Sequence, residues 1–215
     1  MSKIVTVKID PCKPEKDVIA RAAAIIQKGG LVVAPTETRY GLLARVDREE
    51  ALNKLSRVKN RPVSVPVAVF VRSIEDIPRY GRLTALARAL ASAFLPGPLT
   101  LVLEAVPGWA SPLVVEGKIG IRYSSSPVIQ ALVDAADLSL TATSANKYEQ
   151  PEHETVAEIA VSLGEEVDLY LDAGVLDKLT STVVDCTGGE PRLIREGYIL
   201  KEKIEEVLNK QVGHE

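Results

Sequence analysis

The sequence predicts an α/β fold on a mixed sheet, and three observations carry that expectation. Short apolar runs alternate with 10-to-15-residue stretches of helical periodicity almost from end to end, the pattern of strands joined by crossover helices. Several strand-like runs follow one another between Thr100 and Tyr123 with no helix signal between them, which predicts antiparallel pairs inside that sheet. No linker, repeat or low-complexity segment divides the chain, so residues 1–215 are expected to form one domain.

Taken in order, IVTVKI at Ile4–Ile9 alternates like a half-buried strand. Asp17 is placed to cap VIARAAAIIQK, whose apolar residues recur at helical spacing until Gly29 and Gly30 stop it. LVVAP at Leu31–Pro35 reads as a short buried strand. Asp47 is placed to open a second helix running to about Arg57, and VPVAVFV at Val65–Val71 reads as a strand. The alanine-rich LTALARALASAF, Leu83–Phe94, favours a helix by propensity and is ended by PGP. TLVLEA, GIRY and LSLTAT read as strands, with helices at Ser126–Ala135 and Thr155–Leu163. STVVDC is one more strand, and Lys201–Lys210 a closing helix.

Composition bounds the function. With 46% hydrophobic and 26% charged residues the chain is globular, and 215 residues bury a sizeable core without staples. No apolar stretch approaches the roughly 20 residues of a membrane span, and MSKIVTVKIDP lacks a signal-peptide core, so a soluble cytoplasmic protein is expected. Cys12 and Cys186 are too few and too far apart for a disulfide framework or zinc ribbon. His153 and His214 are the sole histidines, and no protein-held metal site is expected. The net charge of −3 is spread along the chain and aromatics are 4%, so neither announces a nucleic-acid binder. Scarce Cys and Met suit a thermophilic source.

Several familiar chemistries are missing. There is no G-x-x-x-x-G-K-[ST] loop, no G-x-G-x-x-G after a strand, no H-E-x-x-H and no G-x-S-x-G. His153 lies in a polar EHET stretch and reads as a solvated loop residue. What remains is a set of polar residues at strand ends, where α/β sheets usually carry their sites. Thr36-Glu37-Thr38-Arg39-Tyr40-Gly41 follows LVVAP. Lys59 and Arg61 leave the second helix in KNRP, where the helix macrodipole alone would also favour cations. Thr141 to Asn146 runs a strand into hydroxyl and amide groups that read equally as an Asx-turn cluster or as ligand contacts. Arg122 and Arg195 stand in strands, where an unpaired cation is costly unless it faces a groove. Together Lys59, Arg61, Arg122 and Arg195 would suit polyphosphate and carboxylate.

PTETRYGL, KNRP, PGPLTLVL, GIRY, ATSAN, STVVD and LIREG occur in the order and spacing of the YrdC family, the threonylcarbamoyl-AMP synthases of tRNA modification. The resemblance covers roughly residues 18–199. It implies a twisted mixed sheet with flanking helices around a positively charged groove, of the single-domain type. It also implies a reaction in which L-threonine, bicarbonate and ATP, carried with Mg²⁺, give L-threonylcarbamoyladenylate and pyrophosphate. The family's K-x-R and S-x-N tetrad falls on Lys59, Arg61, Ser144 and Asn146 as catalytic residues. Carried over by position, Lys59, Arg61, Ser144 and Arg195 hold ATP, while Thr36, Arg122 and Ser181 hold threonine. Thr38, Tyr40, Thr143 and Thr182 are second-rank candidates. The implied partners beyond the substrates are tRNA and the complex that transfers the threonylcarbamoyl group.

The chain departs from the family pattern at named positions. Arg39 replaces a small or aliphatic residue and adds charge beside the threonine site. Val63 and Val65 follow KNRP where polar residues are commoner, and Phe70 stands where many members carry histidine. Ser124-Ser125-Ser126 follows GIRY, and Tyr148-Glu149 replaces the usual S-G after ATSAN. Two other readings fit the same residues: a carbamoyl-adenylate-forming enzyme using carbamoyl phosphate, and a non-catalytic RNA-binding protein.

Overall fold

The computed structural model describes residues 4–212. Its strands are β1 (Thr6–Lys8), β2 (Val32–Pro35), β3 (Tyr40–Leu43), β4 (Ala68–Phe70), β5 (Leu99–Glu104), β6 (Val114–Val115), β7 (Lys118–Arg122), β8 (Leu140–Ser144), β9 (Leu169–Asp172), β10 (Thr182–Asp185) and β11 (Arg192–Arg195). The helices are α1 (Lys16–Gln27), α2 (Glu49–Val58), α3 (Ala85–Phe94), α4 (Pro127–Ala136), α5 (Val156–Leu163) and α6 (Lys201–Val212). All strands join one mixed sheet in the order β1-β9-β2-β3-β8-β4-β7-β5-β10-β11, with β6 against β7. The pairing expected between Thr100 and Tyr123 is present: β5 and β7 run antiparallel, Leu101 opposite Ile121.

Period-two alternation assigns the layers. On β2, Val32 and Ala34 pack with Ile19, Ala22 and Ile26 of α1 and Val128 and Leu132 of α4, while Val33 faces Leu55 of α2 and Ile159 of α5. This half of the sheet is therefore covered on both faces. In the other half, Leu99, Leu101 and Leu103 of β5 and Ile119 and Ile121 of β7 bury against Ala87, Leu90 and Ala91 of α3 and Ile204 of α6. The alternate residues Ala68, Phe70, Thr100, Arg122 and Val183 emerge on the opposite face, and there they line a cleft.

Helix ends correct some sequence expectations. Asp17 is not the cap of α1; the N-cap is Glu15, without a side-chain cap bond, and Asp17 sits in the first turn where it still favours the positive end of the helix. The helix ends through Gly29 at φ +86, a conformation that glycine adopts without steric cost. Asp47 does not open α2, which begins at Glu49; its carboxylate is taken by Arg45 at 2.6 Å. By contrast, Thr84, Ser126 and Thr155 cap α3, α4 and α5 through their hydroxyls, and Thr155 with Glu158 completes a capping box.

Three strands escaped the periodicity. β3 hides in the polar motif after β2, β6 is two residues long, and β9 is a run of four, three of them buried, in an acidic context. The first strand is shorter than the apolar alternation predicts, and α6 runs two residues beyond Lys210. Among the described residues no helix is long and apolar enough to cross a membrane, and no three of His, Cys, Asp and Glu converge.

Candidate active site

The turn between β2 and β3 is built by its own hydroxyls. Thr36 Oγ1 donates to the Arg39 carbonyl at 2.6 Å and accepts the Thr38 amide at 3.0 Å. A hydroxyl has one proton, so the 2.9 Å contact between the two threonine oxygens must be donated by Thr38. Thr36 is thereby saturated. Thr38 keeps acceptor capacity, and Arg122 Nη2 uses it at 2.8 Å.

Arg122 ends β7 with only 9% exposure. A nearly buried guanidinium must be paired. Its Nη2 also reaches Glu37 Oε1 at 2.8 Å, and the second oxygen of Glu37 accepts from Ser124 Oγ. Phe70, its neighbour in the register with β4, lies under the guanidinium, 5.3 Å from Cζ to the ring centroid. Arg122 Nε is buried without a hydrogen-bond partner. The aromatic departure at Phe70 is thus a platform for the arginine, and Ser124 orients the glutamate. Sequence gives Glu37 no role of its own, because its partners lie 85 and 87 residues away.

Across the cleft, β10 begins at Thr182, with Ser181 just before it. The structure separates the two. Thr182 is fully buried; its hydroxyl donates to Ile199 O at 2.6 Å and accepts the amides of Gly197 and Ile199, so it pins the chain behind the site. A side chain at Gly197 would meet Thr180 O at 2.3 Å, which is why a glycine stands in LIREG. Ser181 faces the cleft, its Oγ 3.0 Å from Thr100 Oγ1. Two hydroxyls carry two protons and spend one on each other, so this pair retains a donor. Thr100 carries no motif signal in TLVLEA; strand alternation alone marks it as facing away from the core. Arg195, exposed at the end of β11, folds back onto Ser181, donating from Nε and Nη2 to its carbonyl at 3.2 and 2.9 Å and from Nη2 to its Oγ at 3.1 Å.

The expected tetrad divides into two layers. Asn60, at φ +51, lets the chain leave α2 through the left-handed region and separates Lys59 from Arg61. Lys59 is 1% exposed, and its Nζ donates to Ser144 O, to Asn146 O at 2.6 Å and to Asn146 Oδ1 at 3.4 Å. Burial pushes this ammonium down to about 7; Arg61 adds to the effect and Glu152 opposes it. Ser144 Oγ donates to Asn146 Oδ1 at 2.6 Å, and Asn146 Nδ2 to Gln150 O at 2.6 Å. Lys59 and Asn146 therefore lie behind the cleft and hold its β8 wall. Arg61, Thr143 and Ser144 line it. Arg61 donates to the carbonyls of Val65 and Pro66 and lies 5.7 Å over the Tyr148 ring.

The remaining candidates fall into place around this frame. Tyr40 borders the cleft, but its hydroxyl donates to Gly174 O at 2.8 Å and accepts the Ala173 amide at 2.9 Å, tying the loop after β9 to β3. Arg39 also borders the cleft and is paired with Glu154 at 3.4 Å and Leu176 O at 3.2 Å, so its added charge is balanced. His153 is not among the lining residues. The cleft thus gathers Arg39, Arg61, Arg122 and Arg195 with hydroxyls from four separate strand ends.

The family model described as "Telomere recombination", Sua5/YciO/YrdC, matches residues 24–197. The chain belongs to the Sua5/YciO/YrdC family. It is 34% identical over 194 residues to the threonylcarbamoyl-AMP synthase of Bacillus subtilis, covering 88% of this chain and 56% of that protein. It is 33% identical to the putative threonylcarbamoyl-AMP synthase of Methanocaldococcus jannaschii, covering 83% and 85%. Among solved structures, Pyrococcus abyssi Sua5 complexed with L-threonine superposes with a TM-score of 0.86 at 30% identity, covering 96% of this chain and 61% of that one. Escherichia coli YciO superposes at 0.84 and 27% identity, covering 95% and 100%. The chain therefore spans little more than half the length of its Bacillus relative and the whole length of a YciO structure. The mixed α/β sheet expected of a Sua5/YciO/YrdC member is the one described above.

Proposed function

We propose that this protein is an L-threonylcarbamoyladenylate synthase, forming that adenylate and pyrophosphate from L-threonine, bicarbonate and ATP. The observation that carries the reading is the placement of Arg122, with unspent donors, in one cleft with Arg61, Arg195 and the Thr100–Ser181 hydroxyl pair. A guanidinium takes the amino-acid carboxylate, hydroxyls read the side chain, and two further cations neutralise polyphosphate. Similarity to relatives named threonylcarbamoyl-AMP synthase supports it.

In this reading the threonine amine and bicarbonate condense to a carbamate with loss of water. A carbamate oxygen then attacks the α-phosphorus and pyrophosphate leaves. Such transfers are catalysed chiefly by positioning and by neutralising charge on the phosphoryl oxygens. Arg61 and Arg195 take that part, Ser144 contacts the nucleotide, and Lys59 and Asn146 keep the Ser144 wall in place. Mg²⁺ belongs to this scheme as part of the ATP substrate, bound to the polyphosphate. The product is an activated acyl group for transfer to tRNA by a separate complex, in the cytoplasm where ATP and tRNA meet.

Pyrophosphate release from Mg·ATP with and without L-threonine and bicarbonate tests the proposal. Release should require both. Turnover with carbamoyl phosphate in their place, or salt-dependent RNA binding with no turnover, would replace this reading with one of its two rivals.

A further inference from the structure

Among the described residues lining the cleft, four are arginines and one, Glu152, is a carboxylate. A wall built only for polyphosphate has no use for it, since each fixed negative charge opposes the ligand. Glu152 lies in the loop between β8 and α5, half-buried. Its ion-pair partner is Arg39, whose Nε stands 3.8 Å from Oε2, beyond hydrogen-bonding range, and that Nε is buried with no hydrogen-bond partner. Arg39, shared with Glu154, offsets the charge of Glu152 only in part and does not saturate its oxygens. The neighbouring carboxylates are not available in the same way. Both oxygens of Glu37 are taken by Arg122 and Ser124, and Glu154 is half exposed outside the lining. Glu152, the nearly buried guanidinium of Arg122 and Arg195 line the same cleft, so this carboxylate and that cation border one space.

An α-amino acid differs from every other anion in the scheme by carrying an ammonium two bonds from its carboxylate carbon. A site that selects it needs an anion as well as a cation. We propose that Glu152 accepts the α-ammonium of the amino-acid substrate, so that Glu152 and Arg122 together select a zwitterion and exclude simple carboxylates. The role is binding and specificity; Glu152 takes no proton in it. The inference rests on the reading of this cleft as an amino-acid-activating site. It also gives the departure at Arg39 a function, as the counter-charge that holds Glu152 when no ammonium is bound.

Calorimetric titration of L-threonine and of 3-hydroxybutyrate, the same skeleton without the amine, tests it on the parent, Glu152→Gln and Arg39→Met, with thermal melts as the folding control. The parent should prefer threonine by about tenfold or more, the worth of a charge-assisted contact. Glu152→Gln should lose that preference while binding ATP as well as the parent or better, because a repelling charge has gone. Arg39→Met should keep the preference. If Glu152→Gln binds threonine like the parent, the proposal is overturned while the amino-acid site stands. Equal loss of threonine and ATP binding in both variants also overturns it, since that is the signature of a pair that merely pins the loop. A parent that binds neither compound takes down the reading of the site along with the proposal.

Discussion

The ammonium of Lys59 donates to the backbone carbonyl of Asn146 at 2.6 Å, and through that bond the end of α2 holds the loop that follows β8. Tyr148 N closes the same junction from the other side, donating to Lys59 O at 2.7 Å. The lysine is thus a strut behind the Ser144 wall of the cleft. Replacing it by methionine strands carbonyl acceptors in a dry site. We expect Lys59→Met to cost about 2–4 kcal/mol of stability, read from urea unfolding, and to weaken ATP binding about tenfold by loosening Ser144. Weakened ATP binding at parental stability would instead put the ammonium on the phosphates.

Arg122 spends Nη2 on Glu37 and Thr38 at once while its Nε stays unspent, and lysine, with all its donors on one nitrogen, cannot reproduce that planar spread. Arg122→Lys should therefore lower threonine affinity about 10- to 100-fold and leave ATP affinity within about twofold. Titrating each ligand separately checks this. A parallel loss of both would make Arg122 a structural residue.

The substrate hydroxyl should be read by Thr100 and Ser181, because Thr36 is saturated within its own turn. Sites built to hydrogen-bond a hydroxyl reject analogues lacking it by several powers of ten, whereas one methylene is worth about 10- to 200-fold. Threonine should be used best, serine less well and valine least, and Thr100→Val should narrow the gap between threonine and valine. Comparable adenylate formation from valine and threonine in the parent is the result that sinks this.

Asp185, at the end of β10, contributes to the acid dependence of stability. Burial alone would raise its pKa, but hydrogen bonds from Thr187 and Lys118 outweigh burial and hold it down to about 2. A carboxylate with a folded pKa below its ordinary 3.8 contributes stability that is present above about pH 4 and lost as pH falls toward 2. We expect about 1–2 kcal/mol to disappear over that window in denaturant titrations of the parent, and Asp185→Asn to flatten the profile.

The class of fold and many of the residues that line the cleft are legible in the sequence alone. Alternation and helical spacing depend on neighbours a few residues apart, so the buried run LVVAP and the helices that open at Ser126 and Thr155 follow from local chemistry. The same holds for the polar strand ends that bring Thr36, Arg122, Ser144 and Ser181 to the cleft, and for the seven motifs of the family. Which of two adjacent polar residues faces the cleft was beyond that reach. Ser181 and Thr182 differ by one step along β10, and only pairing with β5 turns one toward Thr100 and the other toward Ile199. Likewise Lys59 and Arg61 read as twin cations, yet the turn through Asn60 buries one and leaves the other in the wall. Glu37 and Glu152 acquire meaning only when strands and loops distant in sequence bring Arg122, Ser124 and Arg39 beside them. Local sequence sets propensity and pattern; the partner of a buried charge is decided by the sheet order, which no local window contains.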